Sequence, residues 1–470
     1  MADFLYASLE KDLTEAIEQG SWSAGDRLPS IRALAQARSL SKTTVMHALN
    51  RLEARGLIES RPKAGFFVRS CFQSSIPATI EVPTPSPAPV SVNEITQELM
   101  RRSAAFDILP EAGDQEETTP GLVQLNRTLA RALRNRSGQK HQYYDEPAGS
   151  MSLRTLLTKR YRRLGCQFEA GDITVTAGCQ QAMFFALMCV CQRGDLVVVE
   201  SPGFYGILQL LEALGLQVLE IPACPETGLD LVMLEQVLSQ WPVKACVVTP
   251  AFSTPGGAVM PLENRARLLS MAELYDFTIV EDDIYGDLSF SHRIAPLQAS
   301  DPNGRVMLCG SVSKTLSRDL RLGWVVSVRH HKELQRLKLV TSLAGSRFVQ
   351  QGVAAFIEEG DYDRHVRRYV HQLQRQRDEL IHVIQHDWQV HCRFSVPQGG
   401  LTLWVQLPES IDTLGLYGCA REAGVLITPG ALFSASGYYK NCLRISYAHC
   451  WNPVRKKALL ELGRLLERAL

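Results

Sequence analysis

Lys314 is the residue of this sequence whose surroundings best fit covalent chemistry. Ser311 and Ser313 stand just before it, and Arg321 follows seven residues later. A lysine forms an imine with an aldehyde only when a fraction of its amine is unprotonated. Nearby positive charge raises that fraction, because it lowers the pKa of the amine. Arg321 could supply that charge while it binds a phosphate, and the two serines offer hydroxyl donors to the same oxygens. The pattern indicates a covalently held, phosphorylated aldehyde.

Short apolar runs along the chain alternate with amphipathic segments of helical period. Continuous Val- and Ile-rich runs between helices predict a mostly parallel sheet that is covered on both faces. In such a sheet, ligands bind where the ends of the strands meet the starts of the helices. The predicted strands are residues 173–176, 196–199, 245–248, 277–280 and 306–309.

Candidate ligand-binding side chains follow three of these runs. Cys179 and Gln180 open a helix just after a glycine, where free backbone amides attract a phosphate. Phe204 follows the next run and offers a flat face to an aromatic ring. Asp282 could keep a pyridine nitrogen protonated and Tyr285 could reach a ring hydroxyl, although three consecutive acids more often mark a solvated strand end. Together with the lysine, these residues imply pyridoxal phosphate as the cofactor.

The first seventy residues have the pattern of a small DNA-binding domain. Ser30 follows Pro29 and can cap a helix, and a second helix starts at Ser41 after a short turn. Two short strands follow, with Gly65 at the tight turn between them. We therefore predict a winged helix-turn-helix fold, an α+β domain, at residues 1–70. Residues 27–69 hold nine Lys or Arg against two acids, a net charge of +7 that suits a polyanion.

The rest of the chain divides into a linker and a large domain. Residues 71–93 hold five prolines among small residues, which predicts a semi-rigid spacer. Residues 94–470 are predicted to form an α/β domain whose smaller C-terminal subdomain begins at about residue 326. The 12 cysteines follow neither a disulfide nor a zinc spacing, and we find no secretory signal and no apolar stretch of membrane length. We therefore expect no metal site and a cytoplasmic location.

The N-terminal stretch resembles the GntR family of bacterial regulators. The likeness rests on Gly20-x4-Gly25-Asp26-x-Leu28-Pro29-Ser30-x-Arg32, on Ser41-Lys42-x-Thr44-Val45, and on Gly65-x-x-Val68. It implies that the second helix of the motif enters the major groove of double-stranded operator DNA. Met46 departs from the pattern, since some relatives have an arginine there. By this likeness the DNA contacts are Arg32, Lys42, Thr43, Thr44 and Gly65.

Residues 100–470 resemble the aspartate aminotransferase superfamily of fold type I pyridoxal phosphate proteins, because the motifs occur in that family's order. The resemblance implies that Lys314 forms the Schiff base with the cofactor, that Asp282 pairs with the pyridine nitrogen and that Tyr285 binds the phenolic oxygen. It assigns Arg444 to a substrate or effector carboxylate. Thr254 stands where relatives have asparagine, as a partial replacement for the lost amide. The other implied cofactor contacts are Cys179, Gln180, Ser311, Ser313 and Arg321 at the phosphate, Phe204 on the ring, and Tyr144, which reaches the partner subunit's cofactor.

A winged helix joined by a linker to an aminotransferase-like domain is the architecture of the MocR subgroup of the GntR regulators, which the whole chain resembles. The resemblance implies a DNA-binding transcriptional regulator that works as a homodimer. Its pyridoxal phosphate domain would sense an amine or amino acid effector by transimination. Two alternatives stay open from the sequence: an active aminotransferase of amino acids, and a sensor of pyridoxal phosphate itself.

Overall fold

The computed structural model describes residues 2–18, 21–22, 26–54, 57–61, 65–68, 76–78, 85–90, 121–134 and 143–470. The chain divides into two compact units, Met1–Ser74 and Ser75–Leu470. Within the described residues, no helix is both long and apolar enough to cross a membrane.

The first unit has the helices and the hairpin of the predicted winged fold. Ser30 caps the second helix, because its Oγ accepts a hydrogen bond of 3.2 Å from the Ala33 N–H. Ser41 caps the third helix in the same way through the Thr44 N–H, at 3.0 Å, so both predicted helix starts are confirmed. The elements are α1 (Ala2–Glu18), α2 (Ile31–Ala37), α3 (Lys42–Ala54), and the antiparallel strands β1 (Ile58–Arg61) and β2 (Gly65–Val68).

A single apolar core holds these elements together. Val45, Leu49 and Leu52 recur at helical spacing on one face of α3 and are fully buried. Ile58 of β1 and Leu13 of α1 pack into the same cluster. Each such side chain contributes about 1.5–3 kcal/mol when it leaves water, so this small unit has an apolar core of its own.

Parts of the stretch predicted to be linker belong to the second unit and contact its later residues. Pro77 is buried, and the Ala78 N–H donates a hydrogen bond of 2.8 Å to Oε1 of Gln406. Further on, the short strand β3 (Ala88–Pro89) pairs with Gln217 and Val218. These contacts fix two points of the segment to the second unit, while the predicted domain boundaries themselves stay predictions.

The second unit contains a nine-stranded, mostly parallel sheet. The five predicted strands are confirmed to within two residues at each end. Four strands of this sheet were missed: the strand at 217–224, which contains a glutamate and a proline, and the short strands at 88–89, 228–229 and 323–326. The strands are β4 (Ile173–Thr176), β5 (Leu196–Ser201), β6 (Gln217–Cys224), β7 (Gly228–Leu229), β8 (Val243–Val248), β9 (Thr278–Asp282), β10 (Val306–Ser311) and β11 (Gly323–Val326). Their order is β3-β6-β5-β8-β9-β10-β11-β4, with β7 beside β6 and with β11 antiparallel to both neighbours.

Helices cover both faces of this sheet. Val197 and Val199 of β5 point into one apolar cluster, and Val198 points into the other. Because both sides of each strand are buried, the strands appear in the sequence as continuous apolar runs rather than alternating ones. The helices up to this point are α4 (Leu122–Arg134), α5 (Met151–Arg162), α6 (Cys179–Val190), α7 (Tyr205–Leu214), α8 (Leu231–Gln240) and α9 (Leu262–Leu274).

The C-terminal part of the second unit contains further helices and a second sheet, which is antiparallel. The Trp388 indole N–H donates to the Leu459 carbonyl at 3.0 Å and so joins two of its helices. Its helices are α10 (His331–Ser342), α11 (Arg347–Glu358), α12 (Asp361–Asp387), α13 (Thr413–Glu422) and α14 (Pro453–Arg468). Its strands are β12 (Arg393–Phe394), β13 (Thr402–Gln406), β14 (Thr428–Pro429) and β15 (Cys442–Ser446), and they lie in the order β12-β13-β15-β14.

Candidate functional site

The ends of three strands bring the predicted cofactor residues to one place. β4 leads through Gly178 into Cys179, β9 ends at Asp282, and β10 ends at Ser311. Cys179 and Asp282 are far apart in the sequence, yet the thiol donates to Oδ1 of the carboxylate at 3.3 Å. The site therefore lies where ligands of parallel sheets bind, at the carboxyl ends of the strands.

Lys314 lies in the turn that follows β10. Ser311 stabilises this turn, because its hydroxyl donates to the Leu322 carbonyl at 2.8 Å and accepts from the Ser313 N–H at 3.1 Å. Burial lowers the pKa of the Lys314 amine well below its ordinary value, and the charges of Arg318 and Arg444 lower it further. The amine is therefore available in its unprotonated form.

Arg321 is not among the leading charges that lower the Lys314 pKa, while its predicted phosphate contact stays a prediction. The guanidinium instead donates to the Ala177 carbonyl at 2.8 Å, and it lies over Gly178, where an added Cβ would come within 2.7 Å of it. Arg318, which sequence analysis missed, is the charged residue that lowers the pKa of Lys314 most. The only available signal was that Arg318 stands four residues after Lys314, the spacing of one helical turn.

Asp282 is buried at the end of β9, with 6% of its surface exposed. Burial raises its pKa to about 6, while hydrogen bonds from the Cys179 thiol and the Ile284 N–H, and the charge of Lys314, act in the opposite direction. A carboxylate with this set of donors is suited to hold a partner that carries a proton and a positive charge.

The neighbouring acids, Glu281 and Asp283, are buried as well. Glu281 accepts hydrogen bonds from the backbone N–H groups of Leu297 and Gln298, at 2.6 and 3.0 Å. Asp283 pairs with the Arg293 guanidinium at 2.6 Å. The alternative reading of the three consecutive acids, a solvated strand end, is therefore wrong.

Tyr285 lies beside Thr254, the residue that replaces the asparagine of the family motif. Burial raises the pKa of the Tyr285 hydroxyl to about 12, and its hydrogen bond with Thr254 opposes that rise. Both side chains are buried, at 5% exposure each. Thr254 is thus in position to share the ring-oxygen contact with the phenol.

The predicted phosphate-binding groups surround the start of α6. Gly178 has φ +95°, a conformation that L side chains rarely adopt, and its backbone precedes the free N–H groups of the first helical turn. Ser311 and Ser313 lie 3.0 Å apart through their hydroxyl oxygens. Gln180 is turned away, since its side-chain amide donates to the Gly206 carbonyl at 2.8 Å. Its backbone N–H, in the first turn of α6, is then the remaining candidate donor to a phosphate.

Two consecutive aromatic residues lie at the exit of β5. The Phe204 ring lies close to Gly206, where an added Cβ would come within 2.4 Å of it. The Tyr205 ring centroid is 5.1 Å from that of Phe204 and 5.5 Å from that of Phe433. The sequence favoured Phe204 for ring stacking and gave Tyr205 no role.

Arg444 lies on β15 and is buried, with 3% of its surface exposed. Its guanidinium carbon lies 5.4 Å from the Tyr205 ring centroid and 4.9 Å from that of Phe433. These cation–π contacts hold the planar group within the electrostatic reach of Tyr285 and Lys314. Tyr205 and Phe433 are thus the residues of this part of the site that sequence analysis missed.

Tyr144 is not part of this cluster within one chain, since 78% of its surface is exposed. The predicted DNA contacts lie in the other unit. Arg32, Lys42 and Thr43 are exposed there, whereas the Thr44 hydroxyl is engaged with Ser41 at 2.8 Å.

Gly65, the remaining predicted DNA contact, lies at the start of β2. It has φ +105° and lies beside the Arg27 guanidinium, whose Nε would be 3.4 Å from an added Cβ. Arg27 is thus the side chain that the structure brings to this end of the hairpin, and sequence analysis did not single it out.

The donor set fits pyridoxal phosphate. A lysine with a lowered pKa lies within electrostatic reach of a buried carboxylate, and a phenol paired with a threonine hydroxyl lies nearby. A helix N-terminus with hydroxyl and guanidinium groups completes the set. These groups match the amine-reactive carbon, the ring nitrogen, the ring oxygen and the phosphate of that cofactor.

Comparison with known proteins matches both units. Residues 5–68 match the family of bacterial regulatory proteins called gntR, and residues 115–460 match aminotransferase class I and II. The HTH-type transcriptional regulator YjiR of Escherichia coli (strain K12) is 35% identical over 469 residues, which is 99% of both chains.

Solved aminotransferases share the fold of the second unit. Kynurenine aminotransferase of Pyrococcus horikoshii, in complex with PMP, has a TM-score of 0.72 and 27% identity, over 81% of this chain and 95% of that one. LysN, the alpha-aminoadipate aminotransferase of Thermus thermophilus, complexed with N-(5'-phosphopyridoxyl)-L-leucine, has a TM-score of 0.69 and 27% identity, over 81% of this chain and 96% of that one. Family and site geometry together indicate pyridoxal phosphate as the cofactor. The chain belongs to the gntR family of bacterial regulatory proteins, as a transcriptional regulator of the MocR type with an aminotransferase class I and II domain.

Proposed function

We propose that the aminotransferase-like domain makes this transcriptional regulator responsive to an amine or amino acid. The effector binds covalently at the cofactor in place of Lys314 and thereby changes the affinity of the protein for its operator. The observation that carries this proposal is the half-buried Lys314, whose lowered pKa favours the unprotonated amine within the electrostatic reach of Asp282. A cytoplasmic location follows from the need to meet both operator DNA and the cofactor.

Each predicted side chain has a place in cofactor binding under this proposal. Asp282 holds the ring nitrogen, with its carboxylate oriented by the Cys179 thiol. Tyr285 and Thr254 bind the ring oxygen, and Phe204 covers the ring face. Ser311, Ser313, Arg321, and the backbone N–H groups of Cys179 and Gln180 bind the phosphate. When bound, pyridoxal phosphate would supply an aldehyde carbon to which either the amine of Lys314 or the amine of an effector can be joined.

Arg444 gives the site a preference for amino acids. Its planar guanidinium can bind a carboxylate with two parallel hydrogen bonds. The contacts with Tyr205 and Phe433 hold this plane in place before a ligand arrives, which reduces the entropy lost on binding. Because Arg444 belongs to β15 of the smaller subdomain, a bound carboxylate links that subdomain to the cofactor.

The winged unit supplies DNA binding. We assign phosphate contacts to the exposed Arg32 and Lys42, and base-edge contacts to Thr43 and Thr44 at the start of α3. We further propose a homodimer, in which the exposed Tyr144 reaches the partner subunit's cofactor. Two such subunits bind paired half-sites on the operator.

The first experiment is absorption spectroscopy of the protein loaded with pyridoxal phosphate, titrated with a panel of amines and amino acids. We expect one ligand to shift the cofactor band of the wild type and to change operator affinity in a parallel gel-shift titration. Lys314→Ala should lose the covalent band. Lys338→Ala is the matched control, because burial lowers the pKa of that lysine too, away from the site. If both variants keep the wild-type band, Lys314 is not the reacting residue and the proposal fails.

A second experiment separates the regulator from the two alternatives. We expect no continuous consumption of an amino donor and keto acid, and no change in operator affinity on addition of pyridoxal phosphate alone. Steady turnover would favour an aminotransferase, and a response to the cofactor alone would favour a vitamin sensor. On the DNA side, Lys42→Ala should weaken operator binding and lower the slope of log affinity against log salt by about one. Arg38→Ala is the control, because Arg38 is engaged by Asp12 at 2.6 Å.

A further inference from the structure

A second cavity lies in the larger unit, apart from the cofactor residues described above. Its volume is about 480 Å³, within the range of small-molecule sites. Its walls come from α5, from α12 and from the segment 287–293 that follows β9. Among the described residues that line it, none is assigned to the cofactor, so this α5–α12 cavity is a separate space.

The interior of the α5–α12 cavity is apolar and aromatic. Trp324, Phe290 and Val312 contribute to its lining. Tyr362 lines it as well, with the Arg160 guanidinium carbon 4.5 Å from its ring centroid. A flat apolar body would therefore be in contact with rings and aliphatic groups rather than with water.

The charged part of the lining is positive. It contains four arginines, against two acids, Asp287 and Asp363. Arg160 and Arg293 are held inside by ion pairs with those two acids, at 2.5 and 2.7 Å. Arg163 and Arg367 are exposed at the edge. Guanidinium groups beside an apolar wall attract carboxylates and phosphates and bind them in a fixed geometry.

Two tyrosines connect the α5–α12 cavity to the cofactor site. The Tyr362 hydroxyl is 2.9 Å from Oγ1 of Thr315, the residue directly after Lys314. The Tyr161 hydroxyl donates to Oδ2 of Asp283 at 3.0 Å, and Asp283 directly follows Asp282. Both tyrosines line the cavity. A ligand that shifts either ring therefore acts, through one hydrogen bond, on the side chain of the residue next to Lys314 or next to Asp282.

We propose that the α5–α12 cavity is a second ligand site, which takes a small amphipathic anion: a flat apolar body that carries one carboxylate or phosphate group. The apolar body lies against Trp324 and Phe290, and the anionic group lies between Arg163 and Arg367. Binding there changes the affinity of the cofactor site for its amine. This coupling rests on the function proposed above, whereas ligand binding itself does not.

Binding is tested by calorimetric titration of the fully cofactor-loaded protein, so that the cofactor's own phosphate site is occupied. The probes are phenyl phosphate and phenylacetate, with inorganic phosphate and benzyl alcohol as the anion-only and ring-only comparisons. We expect saturable binding of at least one of the two amphipathic probes, at least tenfold tighter than either comparison. If no probe binds, or if inorganic phosphate binds as tightly as phenyl phosphate, the proposal is overturned.

The location is tested with adjacent arginines of α12. Arg367→Glu should weaken the probe at least tenfold. Arg368→Glu makes the same charge change one residue further on, outside the cavity lining, and should leave affinity within twofold. Equal losses in both variants would show non-specific attraction and refute the site. Val366→Trp, which fills the cavity, should abolish binding, provided the cofactor absorption band shows that the variant is folded.

Coupling has a separate readout. Saturating probe should shift the amine titration of the cofactor band at least threefold, and Tyr362→Phe should remove that shift while the probe still binds. A probe that binds without any shift refutes the regulatory part alone. Failure of the amine titration in the absence of probe would instead refute the proposed function, so the two failures are distinguishable.

Discussion

Substitution of Arg444 by lysine should remove the preference for amino acids over amines without destroying the site. Lysine keeps the positive charge but loses the planar fork that makes two parallel hydrogen bonds to a carboxylate. Arg444 is buried with 3% exposure, and its plane is held by Tyr205 and Phe433. Water therefore cannot easily replace the hydrogen bond that lysine fails to make. The measured loss of binding free energy should then equal the full contribution of that bond.

The expected magnitude follows from one charge-assisted hydrogen bond. Such a bond contributes about 1.5–3 kcal/mol, and each 1.4 kcal/mol is a factor of ten in affinity. Arg444→Lys should therefore weaken an amino acid effector roughly 10- to 150-fold. The amine obtained by removing the carboxylate from that effector should bind both proteins with affinities within about twofold, because it makes no contact with the fork.

The assay is titration of the cofactor band with the amino acid and with its decarboxylated amine, in wild type and variant. These four affinities form a cycle, in which the carboxylate and the guanidinium are each removed in turn. The reasoning is refuted if both ligands lose the same factor, because Arg444 then shapes the site rather than binds the carboxylate. It is refuted as well if the wild type does not distinguish the two ligands.

Three further predictions concern the backbone, the buried acids and the winged unit. Gly178→Ala should weaken cofactor binding, because the new Cβ would lie 2.7 Å from the Arg321 guanidinium and would push that group out of its place at the proposed phosphate site; Gly194→Ala, with nearly the same φ but nothing within 4 Å, should not. Both variants place a side chain at positive φ, so the urea midpoint of each is measured first, and equilibrium dialysis with the cofactor is then compared at equal folded fraction. Burial raises the pKa of Glu200 to about 8; the folded protein then holds an extra proton between about pH 4.5 and 8, and stability falls as pH rises through that window. Glu200→Gln should flatten this dependence and, in urea unfolding at pH 8, be more stable than the wild type by about 2–4 kcal/mol; equal slopes would contradict the assignment. Ser30→Ala should destabilise the winged unit by about 1 kcal/mol through loss of the helix cap, while Ser30→Asp should restore its urea midpoint.

The strands that the sequence predicted correctly are those buried on both faces. In β5 and β8, consecutive valines point to opposite helical layers, so their runs are continuous and easy to detect. β6 was missed because it lies second from the edge of the sheet and contains Glu220 and Pro222. Glu220 accepts hydrogen bonds from Ser434 and the N–H groups at 435 and 436, so its charge is satisfied by a distant loop. That compensation is not visible in a local window of sequence.

The residues of the candidate site also fall into two groups, those that were predicted from the sequence and those that were missed. Lys314, Asp282 and Tyr285 stand at or just after strand ends, and they were predicted from their residue types together with the order of the motifs along the whole chain. Arg318 and Tyr205 act through neighbours that come from other parts of the fold, and no local pattern distinguishes them. Which of several charges or rings faces the reacting group depends on the packing of the whole unit, so sequence patterns give the chemistry of a site better than its geometry.

The pairing of β3 with β6 has a practical consequence for dissecting this protein. An uncovered strand edge offers unpaired N–H and C=O groups to other molecules and promotes aggregation. In β6, strand β3 covers Gln217 and Val218, strand β7 covers the other end, and Pro222 has no N–H to offer. A fragment that begins at residue 94, where the large domain was predicted to start, would lack β3. The backbone N–H and C=O groups of β6 at Gln217 and Val218 would then be unpaired. A fragment that begins at Ser75 keeps the edge closed, and it is the form of the isolated domain that should stay monodisperse.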